Sequence, residues 1–302
     1  MKNCTHWEGC VRTFQLYLNI LGIEAYEFRR IRCCLRLTNM KEVYFDTEIY
    51  AQICNRQSGI KESDVAKLVR SVQSDKVRVF LSSAVLDETV SDPNTSESEV
   101  LRRLRLIRRI AKRKIILKES TAIIDDTIST YAKKGRVPSF FMSPPSYFKP
   151  ALSSPTRETW QQLEALATES QRRIKERKAS TEQLFKALAS VENNGNVNSE
   201  QSRSAMNAIV NHVGVRPDCD DRCLDELLKI RAMRAITGSL LSQNNTPTNP
   251  NVAESRRHHL LCGSAIGTFV TPDPSVFTGS ERLPIDGLEI IELPTLLAGI
   301  PS

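Results

Sequence analysis

The sequence lacks any uninterrupted apolar run of about 18 residues, the length that a membrane-spanning helix requires. The longest early candidate, Thr13 to Tyr26, is broken by Asn19 and Glu24 and offers no small cleavage-site residues, so it predicts neither an anchor nor a signal peptide. The eight cysteines follow no even framework of the kind that short secreted chains carry. These absences predict a cytoplasmic protein with reduced cysteines and no membrane partner.

Aromatic residues are also scarce, at 6% of the 302, but apolar residues make up 40% and charged residues 25%. Both of these fractions lie near the averages of globular proteins, which excludes wholesale disorder and fibrous repeats. The length allows one large domain or two ordinary ones.

Acidic residues are absent between Leu101 and Lys118, where nine lysines and arginines fall. Apolar residues recur at helical spacing from Val100 to Ala111, so we expect an amphipathic helix with one buried stripe and one cationic face. A nucleic-acid backbone is the partner that this face favours, because each neutralised phosphate releases counterions. An anionic membrane surface, or a solvated helix whose charges pair with acids elsewhere, are the alternatives. The side chains expected to contact nucleic acid are Arg102, Arg105, Arg108, Arg109, Lys112 and Arg113.

The chain is predicted to divide into four segments. Residues 1–39 hold half of the cysteines and no clear period, and Met40 opens the first regular pattern, so residues 1–39 are expected to be a non-native or disordered extension. Residues 40–96 and 251–302 alternate strands and helices, which predicts two halves of one small parallel sheet. Residues 97–250 form a mainly helical insertion between them. The predicted fold class is therefore α/β, with a small parallel-sheet domain interrupted by that insertion.

Local patterns place the elements that matter for the site. Ser63 is expected to cap one helix, and Ser82 or Ser83 a second helix that follows directly on a strand. Residues 137–155 are predicted to be a Pro-rich loop, and residues 204–241 to contain two helices. The predicted strands are Val43–Phe45, Val77–Leu81, Thr268–Thr271 and Leu288–Leu293.

Four acidic residues fall at or near the carboxyl ends of predicted strands or at the start of the helix before one. Ligands collect at that edge of a parallel sheet. Carboxylates brought together repel one another, and a divalent cation resolves the conflict; ligands that are all oxygen select Mg²⁺ or Mn²⁺. Such an ion can activate water and stabilise an in-line displacement at phosphorus. The four residues are Asp46, Glu88, Glu254 and Asp273.

Two other groups of residues compete for roles in this site. The pair Asp125–Asp126 is a rival for the third acid, but Glu254 is preferred because it precedes the matching strand. His258 and His259 follow Glu254 by one turn, and a core or capping role is the more frequent one for histidines in such a place. A metal-activated water does not require a histidine base.

The motifs around the acids have a recognisable order. They are Phe45-Asp46-Thr47, Leu81 to Glu88, Glu254-Ser255-Arg256, Thr268 to Asp273, and a closing strand at Gly287 to Leu293. In this order they resemble the PIN domain. The resemblance implies a compact α/β nuclease that cuts RNA with Mg²⁺ or Mn²⁺ held by an acidic quartet, and many members of that family are toxins of bacterial toxin–antitoxin pairs.

Carried over to this chain, the resemblance makes Asp46, Glu88, Glu254 and Asp273 both the metal ligands and the catalytic residues. It also implies that two threonines, Thr47 and Thr271, orient ligands by hydrogen bonds. The expected function is a metal-dependent ribonuclease, with an antitoxin or another protein as a further partner. DNA stays open as a substrate because the metal chemistry is the same. The alternative is a catalytically idle PIN-like module that binds nucleic acid or a protein through its helical insertion.

Overall fold

A computed structural model describes the chain over eight stretches. The chain divides into two units, residues 1–40 and residues 41–302. The predicted extension, residues 1–39, lies outside the described residues, and everything below concerns the second unit. The described stretches are 40–57, 59–111, 114–153, 159–188, 199–212, 221–242, 250–272 and 285–300.

A four-stranded parallel sheet forms the centre of this unit, and its strands lie in the order β2 (Val77–Phe80), β1 (Lys41–Phe45), β5 (Thr268–Val270) and β6 (Glu289–Ile291). Val43 pairs with Val79 on one side of β1, and Tyr44 pairs with Phe269 on the other. β3 and β4 form a separate antiparallel pair, which extends the sheet edge through a hydrogen bond from the Leu117 amide to the Leu81 carbonyl. The strands are β1 Lys41–Phe45, β2 Val77–Phe80, β3 Ile116–Leu117, β4 Phe141–Met142, β5 Thr268–Val270 and β6 Glu289–Ile291.

Helices connect the strands and make up the rest of the described unit, so the predicted α/β class is confirmed. A short 3₁₀ turn at Ser146–Phe148 precedes α6. The α-helices are α1 Thr47–Asn55, α2 Glu62–Gln73, α3 Ser83–Ser91, α4 Glu97–Ile110, α5 Ser120–Lys134, α6 Lys149–Leu152, α7 Trp160–Leu188, α8 Ser199–His212, α9 Asp221–Lys229, α10 Arg231–Ser242, α11 Pro250–Ile266 and α12 Leu293–Gly299.

Side-chain caps explain where two of the helices beside the sheet begin. The Ser82 hydroxyl accepts a hydrogen bond from the Val85 amide, which confirms the predicted cap of α3. The prediction for α2 is wrong, because this helix begins at Glu62 and Ser63 lies inside it. Its first turn is stabilised instead by the Asp64 carboxylate, which accepts from the Lys61 amide.

The core of the sheet covers both faces of β1. Val43, Tyr44 and Phe45 point alternately to the two faces, and all three are completely buried, as is usual in a parallel sheet between helices. The apolar stripe of α4, which includes Leu104 and Ile107, belongs to the same core. The core therefore continues past residue 97, where the insertion was predicted to begin.

A second apolar core lies among the later helices. Ile123 of α5, Met206 of α8 and Met233 of α10 are buried in it together with Leu261 of α11. The neighbours of Leu261 along the chain, residues 260 and 262, belong instead to the sheet core. α11 thus packs against both cores, and this fixes its place over the sheet.

Three further predictions are corrected by the structure. Residues 137–155 contain β4, a 3₁₀ turn and α6, because Phe141 pairs with Leu117 and Phe148 is fully buried. Residues 204–241 hold parts of three helices, since α9 and α10 are separate. Cys223 is disulfide-bonded, contrary to the expectation of reduced cysteines. Among the described residues, no helix has the length and apolar character needed to cross a bilayer.

Candidate active site

Asp46 stands at the carboxyl end of the central strand β1, where the chain turns into α1. Its backbone amide donates to the Val270 carbonyl of β5 at 3.0 Å, which continues the pairing of the strands by one residue. Its carboxylate caps α1 by accepting from the Glu48 amide at 3.2 Å through Oδ1. The Thr271 hydroxyl donates to Oδ2 at 3.1 Å. Two donors from two elements therefore fix the orientation of this carboxylate.

Glu88 reaches the same place from the second turn of α3, the helix that follows β2. The Thr47 hydroxyl donates to Glu88 Oε2 at 2.6 Å, and His259 Nε2 lies 3.0 Å from the same oxygen. His259 Nε2 also lies 3.9 Å from Asp46 Oδ1, so the ring stands between the two carboxylates. The side chains of Asp46 and Glu88 keep 19% and 24% of their surface exposed, which leaves both open to a ligand.

A buried hydrogen-bond chain holds the histidine in place. His259 Nδ1 is 2.7 Å from Tyr44 Oη, which is 2.8 Å from Ser82 Oγ. Burial, reinforced by the neighbouring Cys262 thiol and the two carboxylates, raises the pKa of Tyr44 well above its ordinary value, so its hydroxyl keeps its proton at neutral pH. A carboxylate only accepts hydrogen bonds, so the contact with Glu88 requires a proton on His259 Nε2. His259 accordingly positions Glu88 rather than offering Nε2 to a cation.

The two carboxylates open into a cavity of about 540 Å³. The cavity is lined by the N-terminal turn of α1 and by the stretch of α7 that includes Gln171 and Lys175. Glu48 and Asp92 add two acids that the sequence reasoning did not select, and burial together with the Asp46 charge raises the pKa of Glu48. The exposed Lys175 and the buried Arg103 are the cationic side chains that line this acidic cavity.

The donor set of the cavity fits a hard divalent cation. Asp46 and Glu88 supply carboxylate oxygens, and Mg²⁺ is commonly held by one or two carboxylates together with substrate phosphates. Within the described ranges, no three His, Cys, Asp or Glu side chains are arranged to enclose a metal ion.

The sequence placed some of these residues correctly. Asp46, Glu88, Thr47 and Thr271 are brought together as predicted, and the threonines donate to the acids they were expected to orient. Asp273 and the side chain of Glu254 lie outside the described residues. Glu254 does not open α11, as was predicted, because the helix already begins at Pro250, a residue that the first helical position tolerates.

The rival acids lie elsewhere in the structure. Asp125 belongs to α5, whose apolar residues pack in the second core, and Asp126 accepts an ion pair from Lys118 at 2.6 Å. Neither of them lines the cavity of the carboxylates. The histidine that does reach those carboxylates is His259, which is buried, as a core histidine would be. Its contact with Glu88 was not predicted.

The basic helix α4 presents most of its predicted cations to solvent. Arg102, Arg105 and Arg109 are exposed and Arg108 is half-buried, whereas Lys112 and Arg113 lie outside the described residues. Arg103 follows Val100 by three positions and so falls on the apolar stripe. It is buried and paired with Glu99 at 2.7 Å and Asp92 at 3.5 Å.

The two oriented carboxylates face one open cavity, which Lys175 also lines. In comparisons with known proteins, no family model, no curated protein and no solved structure matches this chain.

Proposed function

We propose that the protein is a metal-dependent nuclease that hydrolyses RNA phosphodiesters, with Asp46 and Glu88 as ligands of Mg²⁺ or Mn²⁺. One observation carries the proposal. Two carboxylates, one at the end of β1 and one on the helix that follows β2, converge on one open cavity, and each is oriented by two hydrogen-bond donors.

The topology supports a binding role for this cavity. β2 pairs with one edge of β1, and β5, which comes later in the chain, pairs with the other edge. The direction in which strands are added to the sheet therefore reverses at β1. Such a switch point creates a crevice outside the carboxyl ends of the strands, where ligands of open α/β sheets bind. Asp46 lies directly at that point, because its amide continues the pairing between β1 and β5.

The residues of the cavity have separate tasks in the proposed reaction. A divalent cation held by Asp46 and Glu88 would supply Lewis-acid polarisation of the phosphodiester and neutralise the two carboxylates. Thr47, Thr271 and His259 keep the carboxylates in one orientation, which preorganises the site. Lys175 provides a positive charge in the lining of the cavity for a phosphate oxygen.

The choice of RNA rests on the resemblance of the motifs to the PIN domain and on the exposed arginines of α4. The proposal keeps Glu254 and Asp273 as the third and fourth acids of the site. Arg102, Arg105 and Arg109 would contact the strand backbone, where phosphate neutralisation supplies affinity without sequence preference.

Cleavage of end-labelled single-stranded RNA by the full-length protein tests the proposal. Incubation with Mn²⁺ is compared with EDTA, and wild type with Asp46→Asn and with Glu42→Gln. The control changes a half-exposed carboxylate of β1 whose partner is Arg78. We expect cleavage that requires Mn²⁺, persists in Glu42→Gln and falls by roughly a hundredfold or more in Asp46→Asn.

The outcomes separate three cases. Cleavage of a DNA strand of the same sequence in place of RNA would correct the substrate and retain the chemistry. Cleavage that is equal in Asp46→Asn and wild type would mean a contaminating nuclease or a different site, and would reject the proposal. Absence of cleavage of either strand by a folded protein would also reject it.

A second candidate is a catalytically idle module that binds nucleic acid. It is favoured by the absence, within the described stretches, of a third side chain arranged with Asp46 and Glu88 to hold a metal. An idle module would bind RNA equally well in Mn²⁺ and in EDTA and would leave it intact. Binding of Mn²⁺ that depends on Asp46 would argue against it.

A further inference from the structure

A second crevice lies at the opposite end of α1 from the carboxylates. Its volume is about 300 Å³, at the lower end of the range of ligand-binding pockets. The last turn of α1 and the start of α2 form one side, and a stripe of α4 forms the other. Its charged lining residues are four arginines and one glutamate: Arg56, Arg102, Arg105, Arg109 and Glu62.

The positive charges of this crevice are only partly compensated by the protein. Arg56 pairs with Glu62 at 3.3 Å, and Arg102 donates to the Asn55 side chain at 3.0 Å. Arg105 and Arg109 are exposed and have no hydrogen-bond or ion-pair partner among the residues that the structure describes. Like charges gathered in one crevice repel one another, and an anion placed between them removes that cost.

The arrangement of the guanidinium groups suits a phosphate. Arg102, Arg105 and Arg109 are three and four residues apart, so they form one stripe along α4. Arg56 approaches from the C-terminus of α1, where its backbone is left-handed with φ of 52°. Arginine presents a rigid fork of donors that matches phosphate oxygens in pairs, which a single lysine cannot do.

We infer that this arginine crevice is a phosphate-binding site separate from the carboxylate cavity. A phosphate group could come from the backbone of a nucleic-acid strand or from free phosphate, and the strand is the source that fits the proposed function. The inference deepens that function and rests on it for this assignment, whereas phosphate binding itself does not require cleavage.

The positions of the two sites are compatible with one bound strand. The carboxylate cavity is lined by the first turn of α1, and the crevice by the last turn of the same helix. Nine helical residues extend about 13 Å, which is roughly the length of four nucleotide steps in a stacked strand at 3.4 Å each. A strand anchored at the crevice would thus extend to the carboxylates within a few nucleotides.

Binding measurements in EDTA test the inference without any contribution from cleavage. The ligands are a labelled twelve-nucleotide single-stranded RNA and, separately, inorganic phosphate at constant ionic strength. The full-length double variant Arg105→Gln/Arg109→Gln is compared with Lys134→Gln/Arg136→Gln. The control removes the same charge from two exposed positions outside the crevice.

We expect the crevice variant to bind RNA at least tenfold more weakly at low salt, and the control variant less than twofold. The dependence of log affinity on log salt should become shallower by about 1.4, because two contacts to single-strand phosphates are lost. This result supports the site with the strand as its ligand. Loss of phosphate binding with unchanged RNA affinity would support the site with free phosphate as its ligand.

Two results would overturn the inference. One is an equal loss of RNA affinity in both double variants, which would reflect net charge alone. The other is unchanged binding of both ligands in the crevice variant. Because Asp46→Asn cleavage is measured separately, a failed crevice leaves the proposed nuclease standing, and a failed nuclease leaves the phosphate site standing.

Discussion

His259 and Glu88 are 171 residues apart in the sequence, and their side chains meet at 3.0 Å between Nε2 and Oε2. The contact joins α11 to α3 across the end of the sheet. On its other side the imidazole contacts Tyr44, so the orientation of a carboxylate in the cavity depends on a chain of groups reaching into the core. This coupling makes His259 a positioning residue whose effect can be measured.

Replacement of His259 should lower the affinity of the site for Mn²⁺ while the protein stays folded. In His259→Gln, Glu88 loses one of its two donors, and the loss of such an outer contact typically costs 10–100-fold in metal affinity or activity. The Mn²⁺ concentration for half-maximal cleavage should rise by about that factor. His258→Gln is the matched control, since His258 is equally buried but contacts Cys262 instead. Equal shifts in both variants would assign His259 a purely structural role.

A buried ion pair should hold the part of α7 that lines the cavity. Arg173 of α7 donates to Asp87 of α3 at 2.5 Å, Asp87 is fully buried, and the guanidinium lies 4.3 Å from the ring centroid of Tyr147. Arg173→Ala removes the guanidinium from that buried carboxylate, so we expect a loss of about 3–5 kcal/mol in the free energy of unfolding.

The neighbouring Arg172 supplies the control, because it is exposed and pairs only with surface glutamates. Arg172→Ala should leave the urea midpoint unchanged within error, as exposed pairs contribute little. Similar midpoints for the Arg173 and Arg172 variants would show that the buried pair does not anchor α7.

A close approach of helix and strand sets the height of α11 above the sheet. A Cβ atom added at Gly263 would lie 2.5 Å from Phe269 Cβ, a distance that requires the helix or the strand to move. We expect Gly263→Ala to destabilise the protein by about 1–3 kcal/mol, although alanine is the better helix former. Gly299→Ala, where nothing lies within 4 Å, should be neutral or stabilising in the same thermal scan. A neutral Gly263→Ala would contradict this packing.

The two adjacent acids of α5, Asp125 and Asp126, should differ in how their replacement by asparagine changes the melting temperature. Burial and the Asp126 charge raise the pKa of Asp125, so its ionisation opposes folding. This loss in the free energy of unfolding is absent at pH values below the ordinary pKa of aspartate. It is fully present at pH values above the raised pKa of Asp125. Asp125→Asn should therefore raise the melting temperature at pH 7 but not at pH 3. Asp126→Asn loses the ion pair with Lys118 and should give no gain at pH 7; equal gains would refute the assignment.

Parallel topology explains why half of the site could be predicted from the sequence. Strand–helix alternation places the carboxyl ends of β1 and β2 side by side, so Asp46 and Glu88 meet wherever the strands pair. The positions of Thr47 and Thr271 could be predicted for the same reason, because each lies within two residues of a strand end. These positions depend on local pattern alone.

The contacts that sequence reasoning missed come from packing between distant segments. His259 reaches Glu88 only because α11 lies close over β5, which the approach of Gly263 to Phe269 permits. The signal available was two histidines directly before the apolar run Leu260-Leu261-Cys262, which indicates burial but names no partner. Arg103 was more accessible to prediction, since its spacing from Val100 already placed it on the buried stripe of α4.

Calorimetric titration of the full-length protein with Mn²⁺ tests the central claim, that Asp46 and Glu88 hold a divalent cation. The account predicts one binding event in wild type and in Glu42→Gln, and its loss in Asp46→Asn. Mn²⁺ binding that is absent from a folded wild type, or equal in wild type and Asp46→Asn, would contradict it.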